Sequence, residues 1–336
     1  MNSPLWISEA DVVAMMDIGD AIVALKKGLL AEARGNAKNM VKTHVGWGDG
    51  ATLHAIGAVF PNEGFAGTKT WAHTPGGATP LLILLDSETG KLQAIIEAFA
   101  LGQLRTASAS GVATDCLAAK EANDFAIVGT GKQALTQVAA VLAVREIKRI
   151  RVFGRHEERR EQFTVRVKQE FGIDTIAARS VSEAVADATI ITIATRATEP
   201  IIGAEMIARG AHINAIGAIV PSHAEIARDV LDRCSRIIVD SVPAAQKLSR
   251  ELMDFFGAAD QEGWKRVTSL ADLVAAQESR RQSDDLTLFK SLGMGISDLA
   301  LGIELYRRAR ANGFGREFAH PQKVMPRMRR EAGQTV

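Results

Sequence analysis

A run suited to gripping phosphate stands mid-chain: Gly129, Thr130, Gly131, Lys132, Gln133 and Ala134, in the pattern G-x-G-x-x-A. Its context gives it meaning, because an apolar strand-like run precedes it and ALTQVAAVLAV, with helical periodicity, follows. Between a strand and a helix, Gly129 permits a sharp turn, and Gly131 lets a pyrophosphate approach the backbone. Ala134 lets the helix pack closely on its strand. The helix N-terminus offers free N–H groups and a partial positive charge to the phosphates. A glycine turn in another doubly wound fold is the alternative; the flanking elements favour a nicotinamide dinucleotide.

The next strand refines the cofactor. In NAD sites an acidic residue about 20 residues past the loop commonly grips the ribose 2′-hydroxyl. Here RIRVF ends in Gly154, Arg155 and His156, with no carboxylate at its tip. A guanidinium suits a 2′-phosphate, so NADP is the expected cofactor, with NAD possible if Arg155 only caps the strand end. Thr195 and Arg196, at the end of ATIITIAT, and Gly217, at the end of AHINAIGA, are further cofactor candidates. Ligands of open parallel sheets bind at the carboxyl ends of strands.

These residues need a scaffold, and from residue 124 strand-like and helix-like runs alternate at the spacing of a parallel, doubly wound Rossmann sheet. With runs at 188–195, 211–218 and 236–241 it holds at least five strands. Ahead of it, residues 8–34 read as two short helices, with Ser8 as N-cap and Asp11 completing an imperfect capping box. TLHAIGAVF reads as a strand, and residues 80–99 as a hairpin turning at Asp86 to Gly90. Residues 257–284 are more polar and irregular, and a strand, a glycine turn and a long helix follow. The expected class is α/β: a Rossmann domain over 121–304 and a second, α+β substrate and dimerisation domain over 1–120, completed by about 305–336.

Bulk composition sets the limits. At 336 residues and 47% hydrophobic content the chain can bury two cores. A formal charge of +1 gives no footprint for nucleic acid or an anionic membrane, so small molecules are the expected partners. The basic tail with Arg316, Lys323, Arg327, Arg329 and Arg330 reads as solvated surface. Cys116 and Cys234 make neither a disulfide framework nor a zinc site, and no metal is expected. The N-terminus lacks a signal peptide's basic start, and nowhere do 18 apolar residues run together. A soluble, cytoplasmic protein is the expectation.

Several segments carry a more specific pattern: GTKTW at 67–71, LLILLDSETGKLQAII, LRTASASGVATDCLA at 104–118, IVGTGKQA, AIGAIVP at 215–221 and FKSLGMGISDLA at 289–300. In order and spacing they resemble the ornithine cyclodeaminase and mu-crystallin family over nearly the whole chain. That resemblance implies a homodimer with its active site in a cleft between the two domains. It also implies that Lys69 and Arg105 hold the carboxylate of an imino or amino acid. Arg binds carboxylate in bidentate fashion, and Lys69 either shares the carboxylate or protonates the reacting nitrogen, with a lowered pKa if desolvated. The family's upstream cation, normally arginine, is matched by Lys42. His54 and His73 fall in the cleft region, each a proton donor or a satisfied structural histidine. Ser291 and Gly293, with Lys290, match a stretch that packs against the nicotinamide, and Asp298 matches a family helix acid.

One departure selects among chemistries. Cyclodeaminases carry an aspartate two residues before the proline of the AIGA segment, where it binds the substrate's side-chain amine; here that place is Ile219. Isoleucine neither binds an ammonium nor relays a proton. The expectation is therefore an NADPH-dependent reductase of a small imino acid, or the reverse amino-acid dehydrogenase. A cyclodeaminase-type lyase using bound NAD and a non-catalytic NADP-binding protein are the alternatives.

Overall fold

Short strands and amphipathic helices sort into two sheets with helices between them. The computed structural model describes residues 3–48, 50–257 and 261–328. Met1 and Asn2 of the expected untargeted N-terminus, and Arg329 and Arg330 of the basic tail, lie outside the described residues.

The first region runs β1 (Leu5–Ile7), α1 (Glu9–Met15), α2 (Ile18–Ala33), β2 (Lys38–Asn39), β3 (Thr43–Trp47), β4 (Ala51–Phe60), β5 (Phe65–Thr74), β6 (Gly77–Ala78), β7 (Leu81–Asp86), β8 (Leu92–Glu97) and α3 (Phe99–Leu117). Both α1 and α2 open on complete capping boxes, Ser8 with Asp11 and Asp17 with Asp20. Each box satisfies two donors that a helix start otherwise leaves free.

The second region begins β9 (Asp124–Val128), α4 (Ala134–Leu142), β10 (Arg149–Phe153), α5 (Glu157–Phe171), β11 (Asp174–Ala177), α6 (Val181–Val185), β12 (Ile190–Ile193), β13 (His212–Ala215), α7 (Arg228–Arg233) and β14 (Cys234–Val239). It continues α8 (Val242–Leu248), α9 (Arg250–Phe256), α10 (Gln261–Trp264), β15 (Val267–Ser269), α11 (Leu270–Ala275) and β16 (Leu286–Lys290). The chain then closes with α12 (Gly295–Asn312) and β17 (Arg316–Glu317).

The first sheet has the order β17-β1-β8-β7-β5-β4-β2, with β3 on β4 and β6 on β5. Among the described residues only its β1–β8 pairing is parallel. The second sheet has eight strands, all parallel, ordered β11-β10-β9-β12-β13-β16-β14-β15. Its central strands are buried on both faces, as strands of a covered parallel sheet are, and such polar members as Thr192, His212, Asn214 and Lys290 are buried with the apolar ones. The strand order reverses between β9 and β12, the place where open sheets of this kind bind ligands.

Helix α3 is the spine between the sheets. It packs on α2, α12, α4 and β13, and Asn214 Nδ2 of β13 donates to its Thr114 Oγ1 at 2.9 Å. Helix α12 returns to the first sheet: Met294, Ile296, Leu299, Leu301 and Leu305 share one core with Phe60, Leu82, Leu84 and Ile96. We therefore place the chain's return at Gly295, ahead of residue 305. Among the described residues no helix is long and apolar enough to cross a membrane.

Candidate functional site

Lys69 lies in the middle of β5, opposite Ile56 of β4 and Leu82 of β7. Directly paired residues share a sheet face, and this is the face on which α12 packs. A close approach seats that helix: a β-carbon on Gly295 would stand within 3.0 Å of the Gly57 carbonyl, so only glycine lets the helix start lie against β4. Met294 offers no cap there, and Asn39 Oδ1 accepts the Ile296 N–H at 2.9 Å instead. Asp298 then falls in the first turn, where the helix dipole favours a carboxylate.

The result is a fully buried contact: Lys69 Nζ donates to Asp298 Oδ1 at 2.5 Å, with the two residues 3% and 0% exposed. Arg105 arrives from α3, whose uncapped start is held by Glu9, the carboxylate accepting the N–H groups of Phe99 and Ala100. Its Nε lies 3.5 Å from the same Asp298 Oδ1. Arg105 Nε and Asp298 Oδ2 are both buried without a hydrogen-bond partner.

Buried charge crowds this spot. Burial pushes Lys69 down to about 8; Asp298 opposes this, while Arg105 and Lys42 add to it. Burial, with Arg105 second, also lowers Lys42, and Asp240 and Asp298 pull it back. Lys42 thus shares the electrostatic field of Arg105, Asp240 and Asp298. Asp240, past the end of β14, is buried and raised by desolvation, against hydrogen bonds from Gly293, Ser291 and Leu292. Three cations thus meet two carboxylates, a surplus that suits the carboxylate of a small acid.

An aromatic wall continues the same face. His54 stacks on Trp71 with centroids 4.7 Å apart, and His44 stacks on His54 at 5.6 Å, across three neighbouring strands. Lys69 Nζ sits 5.1 Å from the Trp71 centroid. Burial, then Lys42, His44 and His73, depress His54 to about 4. It is neutral at neutral pH and forms part of a wall, poorly suited to act as an acid. His73 lies exposed further along β5.

The dinucleotide loop has the shape its sequence demands. Gly129 takes φ 114°, and a β-carbon there would stand within 3.0 Å of the Ala194 carbonyl at the end of β12. A β-carbon on Gly131 would meet nothing within 4 Å, so the phosphate approach is open. Gly154 lets β10 end against Thr130, whose Cγ2 would lie 2.8 Å from an added β-carbon. Ala134 is buried and begins α4, Lys132 is exposed, and Gln133 Oε1 is buried without a partner. This cradle, which side chains would fill, fits a nicotinamide dinucleotide. Lys132 Nζ lies 6.0 Å from the ring of Phe99, the first residue of α3. Arg105 is six residues on, about 9 Å along the helix, so loop and cation cluster are neighbours.

Other expected cofactor residues are placed more indirectly. Arg155 and His156 are exposed at the tip of β10, Arg155 Nε lying 3.3 Å from His156 Nε2. Arg196 is exposed. The Thr195 and Gly217 N–H groups are both taken by the buried Glu225 carboxylate, each at 2.8 Å. Lys290 points away from the cluster to an ion pair with Glu251 at 3.0 Å, and Ser291 donates to Asp240 at 2.9 Å. Gly293 of that loop lies against Arg105. Ile219 is an exposed side chain on the loop after β13.

Sequence reading missed Asp240, Glu225 and Glu251, and the wall of His44 and Trp71. A carboxylate closing the apolar run RIIVD was a visible signal for Asp240, and the two-residue spacing of Lys69, Trp71 and His73 was one for Trp71. Glu225 and Glu251 sit in unremarked polar stretches, and only the fold reveals their burial.

The chain is similar to known proteins in sequence and fold. Residues 5–313 match the model of the ornithine cyclodeaminase/mu-crystallin family. The chain is 31% identical over 241 residues to a Δ1-pyrroline-2-carboxylate reductase of Bacillus cereus, covering 70% of this chain and 72% of that one. It superposes with a TM-score of 0.87, at 26% identity, on the Δ1-pyrroline-2-carboxylate reductase of Thermococcus litoralis in complex with NADH and L-proline, covering 94% of this chain and 100% of that one. An archaeal alanine dehydrogenase dimer with bound NAD gives 0.86 at 26% identity, over 94% and 99% of the two chains. The chain belongs to the ornithine cyclodeaminase/mu-crystallin family.

Proposed function

We propose that this NAD(P)-dependent imino-acid reductase and amino-acid dehydrogenase binds the substrate carboxylate on Arg105 and Lys69, with Lys42 completing the cationic rim. The observation that carries the reading is the convergence of Lys69 and Arg105 on one buried Asp298 oxygen, close to the glycine loop. A fixed carboxylate orients C2, and such positioning can supply much of a rate enhancement. When bound, the nicotinamide supplies or accepts the hydride at that carbon. Lys69, desolvated and titrating near 8, is matched to hold or deliver the proton at nitrogen near neutral pH.

The substrate we infer is compact, with an apolar or short side chain. Ile219, standing where the family's cyclodeaminases carry a carboxylate, offers no partner for a terminal ammonium. We assign NADPH as the preferred cofactor, held by Gly129 to Ala134 with Arg155 at the 2′-phosphate. The two cysteines, Cys116 and Cys234, are both free, which supports a reducing, cytoplasmic setting.

A homodimer is supported by the outer face of the first sheet. Val45, Leu53 and Ala72 lie side by side there, as do Trp6, Ile95 and Ile83. Val45 is 60% exposed and Leu53 45%, while α1, α2, α3 and α12 pack into the core on the other face. An apolar sheet face of this kind suits a second copy of the chain.

The test is a panel of five- and six-membered cyclic ketimine carboxylates, and of pyruvate with ammonia or methylamine, followed by NADPH absorbance. Consumption of NADPH equal to the amino acid formed is expected. Ammonia release from ornithine without net NADPH consumption would overturn the reading.

A further inference from the structure

Asp298 has no place in the carboxylate grip, because it repels the substrate's own charge. Yet it is completely buried in the first turn of an 18-residue helix, 2.5 Å from Lys69 Nζ and 3.5 Å from Arg105 Nε. Its Oδ2 has no partner, so the carboxylate is not sequestered by hydrogen bonds of its own, and Lys69 and Arg105 are its charged neighbours. Gly102 on α3 lies beside Lys69, a β-carbon there standing 3.8 Å from Nζ, in ordinary van der Waals contact.

Resting on the function proposed above, we infer that Asp298 is a positioning residue for proton transfer: it fixes Lys69 Nζ beneath the substrate nitrogen and holds it as the ammonium. In the reductive direction the imine carbon gains the hydride and the nitrogen gains a proton. A Lys69 N–H bond breaks as the substrate N–H bond forms. The neutral amine left beside Asp298 regains its proton from solvent, which the carboxylate favours. The charged groups facing Lys69 are Asp298 from α12, Arg105 from α3 and Lys42 from the segment before β3; the two cations favour the amine, and Asp298 alone favours the ammonium. Removing it therefore leaves Lys69 between two positive charges in a desolvated site.

The experiment compares the parent with D298N and D298E. The readout is the Lys69 side-chain resonance in lysine-labelled protein, assigned by its loss in K69R, followed against pH; folding is checked by thermal melting. In D298N the Lys69 midpoint is expected to fall by about one pH unit or more, and in D298E to stay near the parent's. Where ketimine reduction is measurable, the basic limb of kcat/KM moves with the resonance in D298N, and kcat falls by about 100-fold. NADPH affinity is unchanged in both variants. A Lys69 midpoint unmoved in folded D298N overturns the inference. If D298N does not fold, a D298E midpoint displaced downward by as much as a unit overturns it, and a retained midpoint with lowered kcat supports it. A parent that reduces no imine overturns the proposed function alone, since the resonance still reports on the pair.

Discussion

Gly293 lies directly against the guanidinium of Arg105: a β-carbon built there would stand 3.2 Å from Arg105 Nη1. Asp240 fixes the loop, accepting the N–H groups of Leu292 and Gly293. The second sheet thus presents its connecting loop to a cation that belongs to α3. Arg105→Ala removes that cation and leaves Lys69 and Asp298 in place. The expected outcome is a fall in kcat/KM for ketimine reduction on the order of 10²–10³-fold. The dissociation constant for NADPH, measured by fluorescence quenching, should be unchanged, because the glycine cradle lies at Gly129 and Gly154. Equal loss of both would refute the division of labour between α3 and the loop.

Arg155 stands exposed just past the end of β10, beside His156, and no acidic residue separates it from the strand in sequence. A charge-assisted hydrogen bond to a 2′-phosphate contributes about 1.5–3 kcal/mol. Arg155→Ala should therefore lower kcat/KM with NADPH by about 10- to 100-fold while leaving NADH unchanged. A parent enzyme that prefers NADH, or a variant that loses both cofactors together, contradicts the assignment.

How much of this was legible beforehand depended on whether a residue's role is local. The loop at Gly129 to Ala134 was readable because a turn, an open approach and a helix start are all written within six residues. The strands β9, β10, β12, β13 and β14 were readable because each holds a cluster of buried apolar residues. By contrast β11 buries only its Thr175 and β15 is three residues long, so each carries too little pattern. The alliance of Lys69 with Asp298 spans 229 positions. It exists because Gly295 and Gly57 let a helix lie on a strand, a relation that no window of sequence contains. Lys290 shows the limit of position-matching: it lies one residue before Ser291, yet its side chain is spent on Glu251.

Glu32 gives a pH-dependent stability. Its Oε1 accepts from Asn39 Nδ2 at 2.7 Å, and its Oε2 is buried without a partner. Burial raises its pKa from 4.5 to about 7, with Asn39 opposing and Asp240 and Asp272 adding. Between those values the folded state keeps a proton that the unfolded chain has released. The sign follows from linkage: this contribution is full below about 4.5 and is lost as pH rises through about 7. Glutamine mimics the protonated acid and does not titrate. Glu32→Gln should thus raise Tm relative to the parent more at pH 8 than at pH 5, by a few degrees. A Tm difference independent of pH would show that Glu32 ionises normally.

Leu53 tests the assembly. It projects from β4 on the outer face, 45% exposed, between Val45 and Ala72, whereas His54 beside it projects toward the site. A charge at Leu53 therefore enters the proposed contact without touching the catalytic face. In a two-fold dimer each substitution occurs twice across one self-complementary surface, so two carboxylates would be desolvated together. Burial of unpaired charge costs several kcal/mol per ion, enough to shift a dissociation constant by several orders of magnitude. Leu53→Glu should sediment as a monomer at micromolar concentration where the parent sediments as a dimer, with an unchanged far-UV circular dichroism spectrum. A dimer that survives Leu53→Glu and Val45→Glu together would place the subunit contact on another surface.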